Sequence, residues 1–90
     1  MRTTKAQVEG IFKRLAEACG KRVAASYNDV GAWRLDYTAC YGGYNIEEID
    51  NERGGISQPM GGQRMKAGEF WSACYFALRA IEAVKEGGAA

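Results

Sequence analysis

Three glycine pairs, Gly42-Gly43, Gly54-Gly55 and Gly61-Gly62, divide the middle of this 90-residue chain into short extended pieces. Glycine adopts positive φ without steric penalty, so each pair marks a reversal of direction. Between the first two pairs stand four carboxylates, Glu47, Glu48, Asp50 and Glu52, a residue choice that packing alone does not explain. The architecture therefore hangs on what flanks this punctuated segment.

On the N-terminal side, Val8, Ile11, Phe12, Leu15 and Cys19 recur at helical spacing with Ala16 alongside. Thr4 with Gln7 three residues on is a capping box, and Gly20 suits the position just past the helix end. A helix over about residues 4–19 is expected. On the C-terminal side, Phe70, Cys74, Ala77, Leu78, Ile81 and Val84 form a second stripe, predicting a helix from about Lys66 to Glu86. Its first half, with Phe70, Trp71, Cys74, Tyr75 and Phe76 inside two turns, is more apolar than one core-facing stripe requires.

Between the helices, Trp33, Leu35 and Tyr37 alternate with Arg34, Asp36 and Thr38, the pattern of a half-buried strand with its aromatic face inward. Tyr41-Gly42-Gly43 reads as the hairpin turn and Tyr44 to Asn51 as the returning strand. Ile46 and Ile49 fall on opposite faces of that strand unless a bulge intervenes. Ile56 to Met60 makes a third, short piece, which Pro59 marks as an edge strand or a strand end. Val23-Ala24-Ala25 is a short strand or an irregular link, and Asn28 to Gly31 a turn. The fold class is α+β: helix, an antiparallel meander of two or three strands, then helix, both helices on one face of the sheet. Residues 1–90 form one domain, with its core over about 4–86 and a frayed tail at 87–90.

Composition narrows the chemistry. The chain contains no histidine, which removes Ser-His and Cys-His nucleophiles, the commonest general base and most zinc sites. Cys19, Cys40 and Cys74 are odd in number and widely spaced, so they read as small reduced hydrophobes, with Cys19 and Cys74 on the inner helix faces. No phosphate-loop, dinucleotide or nucleophile-elbow motif occurs. No catalytic residue, cofactor or metal is therefore expected. No run of eighteen apolar residues is present and no apolar leader precedes the first helix, so a cytoplasmic protein without a membrane span is expected.

Charge is segregated although the net value is only +1. Residues 1–34 carry seven basic and three acidic side chains, residues 35–52 five acidic and none basic, and the remainder five basic and three acidic. Such asymmetry favours oriented association. The four carboxylates are a solvated strand face on the simplest account. As a functional surface, Glu47, Glu48, Asp50 and Glu52 would meet a protein partner. The aromatics Tyr41, Tyr44, Trp71 and Tyr75 would be its anchors, since Trp and Tyr dominate such contacts. A carboxylate-held Mg²⁺ is disfavoured because no lysine lies between Lys21 and Lys66. A homodimer through helix two is a further expectation.

The segment Gly61-Gly62-Gln63-Arg64-Met65-Lys66-Ala67 places two cations at the start of helix two, where backbone amides can receive phosphate. With the element order, this resembles the double-stranded-RNA-binding domain. That resemblance implies duplex binding by Arg64 and Lys66, with Lys13 and Arg14 on helix one, although the several lysines and the loop histidine of that family are missing. An acidic meander opposes a polyanion, so nucleic acid is the alternative expectation.

A longer resemblance lies in Ser26-Tyr27-Asn28-Asp29-Val30-Gly31-Ala32-Trp33-Arg34-Leu35-Asp36-Tyr37, in Tyr41-Gly42-Gly43-Tyr44 and Ile46-Glu47-Glu48-Ile49, and in Glu69-Phe70 with Phe76 to Glu82. These runs are similar to small accessory proteins encoded by tailed phages and prophages. The resemblance transfers no catalytic or binding residue. It implies a setting, in which a non-enzymatic module binds a protein of the bacterial host, including as a defence antagonist of anti-CRISPR type.

Overall fold

The computed structural model describes residues 3–26, 29–38, 42–53, 55–61 and 63–87. The order is α1 (Lys5–Ala18), β1 (Trp33–Thr38), β2 (Gly43–Ile49), β3 (Ile56–Ser57) and α2 (Ala67–Gly87). The strands form an antiparallel sheet in the order β1-β2-β3, so the expected helix–meander–helix architecture is what the chain adopts.

Helix α1 opens with the capping box its sequence encodes. The Gln7 N–H donates to Thr4 Oγ1 at 3.2 Å, and the Thr4 N–H donates to Gln7 Oε1 at 2.8 Å. The C-cap is Cys19, and Gly20 follows at φ 71°. Because Cys19 lies past the last helical turn, it is exposed rather than on the inner face as expected. Cys74, in mid-helix, is buried as expected, while Cys40 lies outside the described residues.

Helices α1 and α2 run in the same direction. Thr3 Oγ1 lies 3.5 Å from where a Cβ on Gly68 would sit, and Lys85 Nζ donates to the Ala18 carbonyl at 3.0 Å. Both helices pack on one face of the sheet. Val8, Ile11, Phe12 and Leu15 of α1 share one core with Phe70, Cys74 and Leu78 of α2 and with Trp33, Tyr44 and Ile46 of the strands. Burying Phe70, Leu15 or Ile46 completely stabilises by about 1.5–3 kcal/mol each.

In the β1–β2 register, Trp33 pairs with Glu48, Arg34 with Glu47, Leu35 with Ile46, Asp36 with Asn45, Tyr37 with Tyr44 and Thr38 with Gly43. Ile46 and Ile49 do face opposite sides, with no bulge in the pairing, and both are buried. Strand β2 ends at Ile49 rather than Asn51, and β3 stops two residues before Pro59. Residues 21–26 form no named strand, but Val23 makes one parallel bridge to Trp33.

Beyond β3 the chain loops out and returns to β2 at a single bridge between Tyr44 and Met65. Gly43 makes this return possible. Its φ is 118°, and a Cβ there would lie 2.3 Å from the Met65 carbonyl oxygen, so no other residue fits. The Ile46 N–H points into the gap between this bridge and β3. Asn45 Oδ1 accepts it at 2.9 Å, leaving Asn45 Nδ2 buried without a partner.

Two further inward expectations fail. Val84, placed on the inner stripe of α2, is 70% exposed near the end of that helix. Tyr37, placed on the inner aromatic face by alternation, is 58% exposed. It sits at the far end of the outer strand, where both helices begin, so no helical turn extends over it. Its ring leans on Tyr44 at 4.7 Å between centroids.

Candidate functional site

The four carboxylates do not form one acidic face. Glu47 is 4% exposed and lies directly across the ladder from Arg34. Arg34 Nε donates to Glu47 Oε1 at 3.1 Å, and Arg34 Nη2 closes on the same oxygen. The alternation of β2 puts Glu48 on the helix-facing side, where it accepts Trp33 Nε1 at 2.8 Å and pairs with Lys21 Nζ at 3.2 Å. The indole donor first, and Lys21 second, hold the Glu48 carboxyl below its ordinary range. Asp50 accepts Ser57 Oγ at 3.0 Å. Glu52 stands exposed in the turn that Asn51 Oδ1 organises by accepting the N–H groups of Arg53 at 2.9 Å and Gly55 at 3.0 Å.

Three of the four acids are thus engaged within the fold, on two sides of the sheet. Tyr44 also belongs to the core. An acidic, tyrosine-flanked surface containing Glu47 and Tyr44 is corrected by their burial. Tyr41 lies outside the described residues. Among the described residues, no three His, Cys, Asp or Glu side chains group closely enough to hold a metal ion.

On α2, Trp71 and Tyr75 stack with ring centroids 5.0 Å apart and planes 11° from parallel. Both are half-buried against the core, so each presents one edge only. The most exposed large apolar side chains lie around the other flank. Phe76 is 71% and Val84 70% exposed, in line with exposed Ala80 at i+4 spacing. The sequence signal is the all-round apolar character of this helix, from which Trp71 and Tyr75 are expected as anchors; Phe76 is the more exposed ring.

The cations divide in the same way. Arg64 is a clamp rather than a free phosphate contact: Nη1 donates to the Gly43 carbonyl at 3.2 Å and Nη2 pairs with Asp36. Lys66 is exposed and shares a cavity of about 470 Å³ with Lys5, Thr4, Tyr37 and Gly42. Lys13 lines an adjoining groove of about 460 Å³ with Lys5, Val23 and Tyr37. Arg14 belongs elsewhere, beside Glu17 and Lys85 at the C-terminal end of α1. The four cations proposed for nucleic acid therefore do not form one surface. Lys5, which the sequence pattern did not single out, and Tyr37, expected on the inner face, sit at the junction of the two cavities.

No activated nucleophile or base is evident among the described residues. Burial pushes the Cys74 thiol up to about 12, the direction opposite to activation. Asp29 is lowered by the Ala25 N–H and by Arg22, a local turn arrangement. No helix of the described residues is long and apolar enough to cross a membrane. No protein-family model, curated protein or solved structure matches this chain.

Proposed function

We propose that the protein is a non-enzymatic binding module whose partner is another protein. The observation that carries this reading is the placement of large apolar side chains outside the core, Phe76 and Val84 on α2 and Tyr37 at the sheet edge. The absence of histidine, the dispersed carboxylates and the unactivated thiol support a binding role over catalysis. The resemblance to small phage-encoded proteins supports a bacterial host protein as the partner, including a component of host defence. A photo-crosslinking residue placed in turn at Phe76 and Tyr37 in bacterial cells tests the reading. A discrete crosslinked protein at either position is expected, and none at both would reject it. The same α2 flank could seat a second copy, which sedimentation distinguishes as a concentration-dependent mass.

A second reading has its own observation. The starts of α1 and α2 and the β1–β2 turn converge on the cavity holding Lys5 and Lys66, and helix N-termini favour phosphate. Duplex RNA or DNA would then bind with a salt-dependent affinity that Lys66→Glu abolishes. Arg64→Glu is a poor probe because it also breaks the clamp on Asp36 and Gly43. Salt-independent binding, or none, rejects this alternative.

A further inference from the structure

Strand β1 is an outer strand of the sheet, and only the first part of its outer edge is used. Within the antiparallel pair, successive residues alternate between bonding the neighbour and pointing away. Tyr44 gives both backbone groups to Met65, at 2.7 and 2.9 Å, and the Ile49 N–H donates to the Ala32 carbonyl at 3.0 Å. These bonds fix the phase. The N–H and C=O groups of Trp33, Leu35 and Tyr37 all point away from β2.

The chain itself covers the first of the three. The Trp33 N–H donates to the Arg22 carbonyl at 2.8 Å, and the Trp33 carbonyl accepts the Ala24 N–H at 2.8 Å. This is one rung of a parallel strand, after which the chain turns away through Asp29 and Gly31. The outward groups of Leu35 and Tyr37 have no protein partner among the described residues. Exposed backbone of this kind is a template for strand addition.

Beside these groups runs the groove of about 460 Å³ between β1 and α1, with Phe12, Leu35 and Val23 among its apolar lining. Lys5, Lys13 and Arg34 line it too, against Glu9 as the one acid among its described lining residues. Arg34 is already paired with Glu47, but its side chain remains 41% exposed. The groove therefore offers unpaired backbone, apolar contact and surplus positive charge together.

We propose that the open part of the β1 edge captures an extended acidic peptide segment of a partner protein, which adds to the sheet as a further strand. This rests on the protein-binding reading and names its site and ligand chemistry. Backbone bonds to Leu35 and Tyr37 give the register, and Lys5 and Lys13 select carboxylates at alternate positions of the incoming strand. Charge also disfavours a second copy here, because edge-to-edge pairing of two β1 strands would bring two sets of Lys5, Lys13 and Arg34 together.

The test is selection of a displayed random heptapeptide library on the intact protein, followed by amide exchange with the enriched peptide bound. Enrichment of sequences with acids at alternate positions is expected, together with slowed exchange at Leu35 and Tyr37. Tyr37→Pro removes an outward N–H without touching the β1–β2 ladder and should weaken binding about tenfold. Should that variant not fold, Lys5→Glu with Lys13→Glu alters only exposed side chains and should switch the selected peptides from acidic to basic. The proposal is overturned if no peptide is enriched, if bound peptide leaves both amides unchanged, or if a self-association protects them without peptide. Crosslinking at Phe76 with no peptide captured at β1 would remove this site and leave the protein-binding reading standing. Failure of both would remove both.

Discussion

The burial of Glu47 makes an unequal prediction for the two halves of its ion pair. The Glu47 side chain is 5% exposed and the Arg34 side chain 41%. Deleting the arginine leaves a buried carboxylate without its cation, whereas deleting the glutamate leaves a guanidinium that can turn into water. Breaking a fully buried pair from one side costs about 3–5 kcal/mol. Arg34 is only half-covered, so water enters the space it vacates, and Arg34→Ala should cost about 2–3 kcal/mol. Glu47→Ala should cost about 1 kcal/mol, the net value of a typical intramolecular hydrogen bond, because the half-exposed guanidinium is rehydrated and little is left unsatisfied.

Urea unfolding followed by circular dichroism and by the fluorescence of Trp33 and Trp71 measures both. With a urea slope of about 1–1.5 kcal/mol/M, the Arg34→Ala midpoint should fall by about 2 M and that of Glu47→Ala by under 1 M. The double variant should resemble Glu47→Ala, because the stranded charge is then gone. Equal and small effects, each under about 0.5 kcal/mol, are what a solvated surface pair gives. That result would refute the buried register and restore Glu47 to a free acidic face.

Three shorter predictions concern other parts of the fold. Gly43→Ala drives a Cβ into the Met65 carbonyl at a positive-φ position and should cost about 3 kcal/mol or more, read as a lost exchange protection of Tyr44 and Met65. Glu48 has a lowered carboxyl pKa, so its contribution to stability is complete well above its unfolded value of 4.5 and fades as pH falls through the folded value. The stability gap between wild type and Glu48→Gln should accordingly narrow between pH 6 and pH 3 (about the range in which carboxylates protonate), and a constant gap would contradict the contact. In a Cys40→Ser background, Cys19 should react with a thiol reagent in the native state and Cys74 only on unfolding; equal native rates would contradict the burial of Cys74.

Both helices were legible from periodicity, and α1 down to its capping box, because helix ends are encoded by local residues. The hairpin register was not. Had Gly42 and Gly43 been a two-residue turn, Tyr41 would pair with Tyr44, and Arg34 would lie across from Asn51. Thr38 instead pairs with Gly43, so four residues join the strands and Arg34 meets Glu47. Loop length sets which charges face each other, and glycine pairs alone do not specify it. Arg64 was misread for a related reason. Its cation sits at a helix start in sequence, but its partners, Asp36 and the Gly43 carbonyl, are more than twenty residues away and appear only once the chain returns to β2.

The element order nevertheless holds one consequence that bears on function. With three antiparallel strands between two helices the chain reverses four times, an even number, so α2 runs with α1 and both helices start at the same end of the sheet. That end is where Lys5 and Lys66 meet and where Tyr37 is left uncovered, because neither helix extends back over it. The outer edge of β1 leads to the same corner, and the chain occupies only its first rung. Exposed aromatic surface, unpaired backbone and surplus cations thus coincide for a topological reason. By contrast, of the acids that dominate the middle of the sequence, Glu47, Glu48 and Asp50 are engaged by partners within the fold and only Glu52 stands exposed without a named contact. A partner that reads charge would consequently approach with its own carboxylates toward α1 and β1, so charge reversal at Lys5 and Lys13 should matter more to binding than reversal anywhere between Glu47 and Glu52.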